Sequence, residues 1–109
     1  EGLAALMNTI EQIQETVNPG LEIEGILRTM YDPRNSLTLD VSRQLSDYFG
    51  DKVYSAVIPR NVRLAEAPSY GMPALRYDRS SKGAISYLAL AGEMVRRNTS
   101  QQSQGAVAV

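Results

Sequence analysis

The residues best placed for chemistry lie between Val57 and Gly71, in the run VIPRNVRLAEAPSYG. Val53 to Ile58 is short, apolar and β-branched, and reads as a buried strand closed by Pro59. Arg60, Asn61 and Arg63 then gather at the carboxyl end of that strand. In open α/β sheets this edge is where ligands bind. An asparagine amide offers a donor and an acceptor that match an adenine edge, and a proline ring can lie against a base face. The same residues fit a plain strand-to-helix turn with solvated arginines, and residue types alone do not separate the two. Tyr31-Asp32-Pro33-Arg34-Asn35 holds the equivalent place after an earlier strand. Arg34 there reaches outward just before a helix begins, although a lone arginine in a turn is more often only a solvated charge.

The missing chemistry is as informative. No G-x-x-x-x-G-K-[ST] loop and no G-x-G-x-x-G loop occurs, so no glycine-rich backbone cradle for a polyphosphate is present. There are no cysteines and no histidines. That excludes disulfides, thiolate nucleophiles, serine–histidine triads and histidine-based metal sites. No catalytic residue and no metal ligand is therefore expected within the chain. The formal net charge is −1, so any contact with nucleic acid depends on local arginine placement and not on a global field. No apolar run is long enough to span a bilayer. With no sign of an oxidising compartment, a cytoplasmic setting is the expectation.

The elements that must position these residues follow from periodicity. The 109 residues suffice for one small domain. Leu3, Leu6, Ile10, Ile13 and Val17 mark one apolar helix face, which predicts a helix covering a sheet and stopped by Asn18-Pro19-Gly20. Ile23 to Tyr31 predicts a mostly buried strand. Leu37, Val41, Leu45 and Tyr48 predict a helix capped by Asn35 or Ser36 and ended by Gly50. Asn61 to Ala67 predicts a short helix, and Ser69 to Tyr77 a turn-rich stretch. A last helix, capped by Ser80 or Ser81, is expected to turn Ala84, Leu88, Ala91 and Val95 inward. Residues 98–109 lack a period and predict a disordered tail. Helices alternating with strands imply a parallel sheet in an α/β fold. The chain lacks an initiator methionine and begins within a helical repeat, so it is expected to be part of something longer.

Taken together, EGLAALMNTI, EIEGILRTMYDPRN, YFGDKVYSAVIPRNVRLAEAPSYGMP and YDRSSKGAISYLALAGEM closely resemble the C-terminal part of ParA/Soj-type chromosome-partitioning ATPases. These are the deviant-Walker P-loop family that also includes MinD. The resemblance covers residues 1–97 and implies a mainly parallel P-loop sheet with helices on both faces. It implies that a phosphate loop, a signature lysine and the acidic residues for magnesium precede Glu1. It assigns the adenine side of an ATP site to Thr29 and Met30 after the first strand, and to Pro59, Arg60 and Asn61 after the second. It matches Arg34 and Arg63 to arginines that hold DNA without sequence preference, with Lys82 a weaker addition. It further implies a homodimer formed with ATP, a ParB-type partner and a nucleoid-associated protein of chromosomes or plasmids. One departure is YDPR where many relatives have YDAR, which stiffens the turn and keeps the arginine. The competing reading is a stand-alone dimerisation or DNA-binding module without nucleotide chemistry. The first reading predicts no magnesium-dependent ATP turnover from these 109 residues alone. A phosphate-release assay that found such turnover in a clean preparation would contradict it.

Overall fold

The computed structural model describes residues 2–108, with side chains described as far as residue 100. Glu1 and Val109 lie outside the described residues. Seven elements carry the chain: α1 (Gly2–Thr16), β1 (Ile26–Tyr31), α2 (Ser36–Phe49), β2 (Val53–Pro59), α3 (Val62–Glu66), α4 (Ala74–Tyr77) and α5 (Lys82–Ala108). Short 3-10 turns at Gly50–Lys52 and Ala67–Tyr70 join them. The two strands pair in parallel, as a crossover through α2 requires.

The expected elements are present, with four corrections. First, α1 forms with the expected period, but none of its residues is buried. Leu3, Leu6 and Ile13 stay exposed, and Gln14 Nε2 ties the helix end to the Leu21 carbonyl at 2.6 Å. It does not cover the two-stranded sheet. Second, β1 starts at Ile26 rather than Ile23 and is half-buried, with Thr29 and Met30 open. Its pairing begins at Ile26 opposite Val53, and Gly25 just before it lies beneath the Tyr54 ring, where a Cβ would meet ring carbon at 2.4 Å. Third, the turn-rich stretch contains the four-residue α4, started at Pro73. Fourth, α5 turns a different face inward. Ser81 Oγ caps it by accepting from the Ala84 amide, and Ala84 is fully buried as expected. Leu88 and Val95, however, are exposed, while Glu93 is buried. The expected tail at 98–109 continues α5 as far as Ala108; the side chains from 101 on lie outside the described residues, and disorder there stays an expectation.

The rotation of α5 has a clear cause in β2. Ile26 faces Val53 and Arg28 faces Val57, so three residues of β2, Tyr54 to Ala56, lie opposite the single residue Leu27. A strand bulged this far leaves backbone groups that the neighbouring strand does not reach. Charged side chains reach them instead. The Glu93 carboxylate accepts from the Ser55 amide at 2.7 Å and the Ala56 amide at 2.9 Å. Arg97 donates to the Val53 carbonyl at 2.9 Å and to Glu93 at 3.0 Å, and lies over the Tyr54 ring. From β1, Arg28 donates to the Tyr54 carbonyl at 2.9 Å. Its Nε is buried without a partner among the described residues, so the arrangement is not fully satisfied.

Burial pushes the Glu93 carboxyl up, but the Ala56 and Ser55 amides and the Arg97 charge outweigh it and hold the group below its ordinary value. A depressed carboxylate contributes stability that is full above the ordinary carboxylate range and is lost as pH falls through the folded value. Glu93→Gln removes the charge and one of two acceptor oxygens. It is expected to cost about 2 kcal/mol at neutral pH. The gap to the parent should narrow as pH drops below the ordinary carboxylate range, as followed by urea unfolding. A gap independent of pH would show that the charge is not what matters.

Candidate functional site

The carboxyl ends of the two strands meet at one cleft. Beyond Arg28, β1 bulges in its turn: Thr29 and Met30 together lie opposite Ile58 before Tyr31 pairs with Pro59. Met30 takes a left-handed φ of 52°, the one such non-glycine among the described residues. This backbone costs about 1–2 kcal/mol for a residue with a Cβ. The kink leaves Thr29 and Met30 outside the ladder, facing the end of β2.

Pro59 ends β2, and the chain turns at once into α3. Asn61 has an extended backbone, φ −146° and ψ 127°, and its Oδ1 accepts from the Arg63 amide at 3.1 Å and the Leu64 amide at 3.3 Å. It is therefore the N-cap of α3. The expectation that this amide reads an adenine edge narrows accordingly: its acceptor oxygen is already used, and Nδ2 is the half left to donate. A five-residue helix is marginal without tertiary support. The support comes from α5, where Gly83 lies so close to Leu64 that a Cβ would meet it at 2.4 Å.

Thr29, Met30, Pro59, Arg60 and Asn61 all line a single cleft of about 510 Å³. Ile58, Leu64 and Tyr87 complete its walls. The lining is mostly carbon, which suits a flat heteroaromatic ring more than a charged group. Tyr87 escapes the sequence reading because the apolar period read along α5 runs through Ala84, Leu88 and Ala91 and leaves Tyr87 off that face. A larger cleft, about 750 Å³, opens at the opposite, amino ends of the strands between Glu22, Lys52, Glu93 and Arg97. Glu93 and Arg97 in it are the charges that hold β2, and it contains none of the expected site residues. Among the described residues no group of three or more acidic side chains gathers as a cation site.

The two arginines expected to meet DNA differ in setting. Arg34 projects from the turn after β1 with its side chain 89% exposed. Asp32 grips it through Nε at 3.1 Å and Nη2 at 3.3 Å, and also accepts from its backbone amide at 3.0 Å. These bonds, with smaller help from the charge of Arg60, hold the Asp32 carboxyl below its ordinary value. Arg63, in α3, sits between two carboxylates: Glu66 at 3.0 Å and Asp78 at 3.3 Å. The Tyr77 hydroxyl donates to the same Glu66, and its ring stacks on Tyr70 with centroids 5.0 Å apart. That hydroxyl first, then Arg63, holds the Glu66 carboxyl below its ordinary value. Lys82 opens α5, exposed and away from the cleft lining.

Comparison with known proteins decides the family. Residues 2–74 match the CobQ/CobB/MinD/ParA nucleotide binding domain. The chain belongs to this family. It is 64% identical over 97 residues to an uncharacterized protein of Pseudomonas putida, covering 89% of this chain and 37% of that protein. It is 52% identical over 106 residues to the chromosome partitioning protein ParA of Caulobacter vibrioides, covering 97% of this chain and 40% of that protein. Against the sporulation initiation inhibitor protein Soj of Bacillus subtilis the identity is 52% over 94 residues, 86% of this chain and 37% of the relative. The chain thus spans well under half the length of these relatives. Its parallel strands and flanking helices are a portion of the family's α/β nucleotide-binding fold.

The two faces of Asn61 separate in simple variants. Asn61→Ala removes the cap of α3 and is expected to lower stability by about 1 kcal/mol. Asn61→Asp keeps an acceptor oxygen at the helix N-terminus and should recover most of that loss in the same denaturant titration. Equal losses from both would show that α3 does not depend on this cap.

Proposed function

We propose that this chain is the adenine-side segment of a ParA/Soj-type partitioning ATPase, and that it also carries arginines that hold DNA. The observation that supports this most is the convergence of Thr29, Met30, Pro59, Arg60 and Asn61, from the ends of two strands, on one cleft. In an open α/β sheet this is the ligand edge. The donor set fits an adenine: Pro59 and Met30 supply apolar faces, and the Asn61 Nδ2 supplies a donor for a ring nitrogen. Nothing in this segment resembles a polyphosphate cradle, so ATP phosphates and magnesium would be held by parts of the family fold outside it. Bound there, the nucleotide would supply a hydrolysable phosphoanhydride, and these residues would orient its base.

Arg34 and Arg63 are the DNA-holding residues in this reading. Guanidinium groups grip phosphates through paired N–H donors and need no base contact. The complete protein would bind DNA as an ATP-dependent homodimer, associate with the nucleoid and respond to a ParB-type partner. The relatives named ParA and Soj favour the partitioning role. No helix among the described residues is long and apolar enough to cross a bilayer.

In the full-length protein, Arg34→Ala and Arg63→Ala together should weaken binding to a mixed-sequence duplex. They should lower the slope of log affinity against log salt by about one for each phosphate no longer neutralised. ATP binding, followed by a fluorescent nucleotide, should be unchanged. If the double variant retarded duplex DNA like the parent, the assignment of these arginines would fail.

A further inference from the structure

We infer that Glu66 and Asp78 keep Arg63 as a latent phosphate contact, so that DNA engages Arg34 first and Arg63 only when its ion pairs exchange to phosphate. This rests on the reading that both arginines face DNA, and it adds what sets the strength with which each one holds.

The two arginines carry the same formal charge in opposite local balances. Around Arg34 stand one carboxylate, Asp32, and a second guanidinium, Arg60, close enough to act on that carboxylate. Two cations against one anion leave this spot positive. Around Arg63 stand two carboxylates, Glu66 through Nη1 and Asp78 through Nε. One cation against two anions leaves this spot negative. Phosphate approaching Arg34 meets a side chain 89% exposed and tied to one carboxylate through Nε and Nη2, whereas Arg63 is 51% exposed and tied to two carboxylates.

The clasp on Arg63 is also the better built of the two. Asp32 and Arg34 belong to one turn, and their hydrogen bonds to each other lie within it. Glu66 is anchored by the Tyr77 hydroxyl of α4, and Tyr77 in turn stacks on Tyr70. Asp78 is held by the Ser80 amide and hydroxyl and by Arg63 itself. Three chain segments therefore fix the carboxylates that oppose phosphate. Like charges beside a contact repel an incoming polyanion, to an extent that falls as salt rises. Glu66 and Asp78 are affinity-setting residues in this account: they do not touch DNA, and they act through Arg63.

The test uses the full-length protein and a short mixed-sequence duplex, with affinity measured across a salt series. Glu66→Gln and Asp78→Asn each keep an acceptor oxygen for Tyr77 or Ser80 while removing a negative charge. Each is expected to tighten DNA binding by about two- to fivefold, the scale of one surface ion pair. Each should also steepen the salt slope, by up to about one for a newly engaged phosphate. Arg63→Ala should weaken binding less than Arg34→Ala in the parent, and should abolish the gain in either variant. Binding unchanged or weakened in both Glu66→Gln and Asp78→Asn, while Arg34→Ala still weakens it, would overturn the latent-contact inference and leave the DNA reading intact. A gain that survives Arg63→Ala would overturn it too, since the carboxylates would then be acting on the whole surface. If no arginine variant changed DNA binding in any background, the underlying DNA reading itself would fall.

Discussion

The fold depends on one buried carboxylate. Glu93, on the face of α5 that meets β2, accepts two backbone amides that a regular ladder would have used. Without it, Ser55 and Ala56 would leave donors unpaired beside the core, each at a cost comparable to a lost hydrogen bond. Arg97 and Arg28 complete the arrangement by donating to the carbonyls of Val53 and Tyr54. Charge is used here in place of strand pairing. It sets the rotation of α5, which brings Gly83 against Leu64 and holds α3. The seat of α3 on Gly83 and the wall formed by Tyr87 depend on where α5 lies.

The cleft inherits its shape from two irregularities rather than from regular sheet. The bulge in β2 shifts its carboxyl end along β1, and the left-handed Met30 kinks β1 where it faces Ile58. A bulge at a sheet margin commonly re-aims side chains toward a ligand. Strain held at Met30 is consistent with a backbone kept in place for function, since a regular strand would have put that residue back in the ladder. Pro59 and the Asn61 cap then stop β2 abruptly at the edge of the cleft.

Much of this is legible in residue order. The helix period places α1, α2 and the start of α5, Asn35 and Ser81 cap where short polar residues precede apolar repeats, and the five residues that the family resemblance implies line one cleft. What escapes depends on partners distant in the chain. A glutamate within an apolar helical stretch reads as a solvated face, and only the unpaired amides of β2, thirty-seven and thirty-eight residues away, turn Glu93 inward. The expected apolar stripe through Leu88 and Val95 fails for that reason. Asn61 reads as a ligand group because its neighbours are arginines. Its use as a cap follows from the backbone N–H groups just after it, and Asn–x–x spacing at a helix start is the signal that carries it. The open face of α1 is a different matter: its period is sound, and the two strands of this segment do not reach it.

Net charge conceals the electrostatics of the surface. A chain with an overall charge of −1 offers no general attraction to a polyanion, yet it contains one spot where guanidinium groups outnumber carboxylates and another where the reverse holds. The difference arises from spacing. Asp32 is two residues from Arg34, with Arg60 brought near from the other strand end, so one anion serves two cations. Glu66 lies three residues from Arg63 on the same short helix, and Asp78 reaches it from the segment after α4, so two anions serve one cation. Surface ion pairs contribute little to folding. Their weakness is what suits them to exchange: a phosphate can replace a carboxylate on an exposed guanidinium with little net change in local energy, and the balance is then set by how many carboxylates must be displaced and by salt. On the proposed reading, an arginine's place in the turn sets where DNA is held, and the carboxylates around it set how readily.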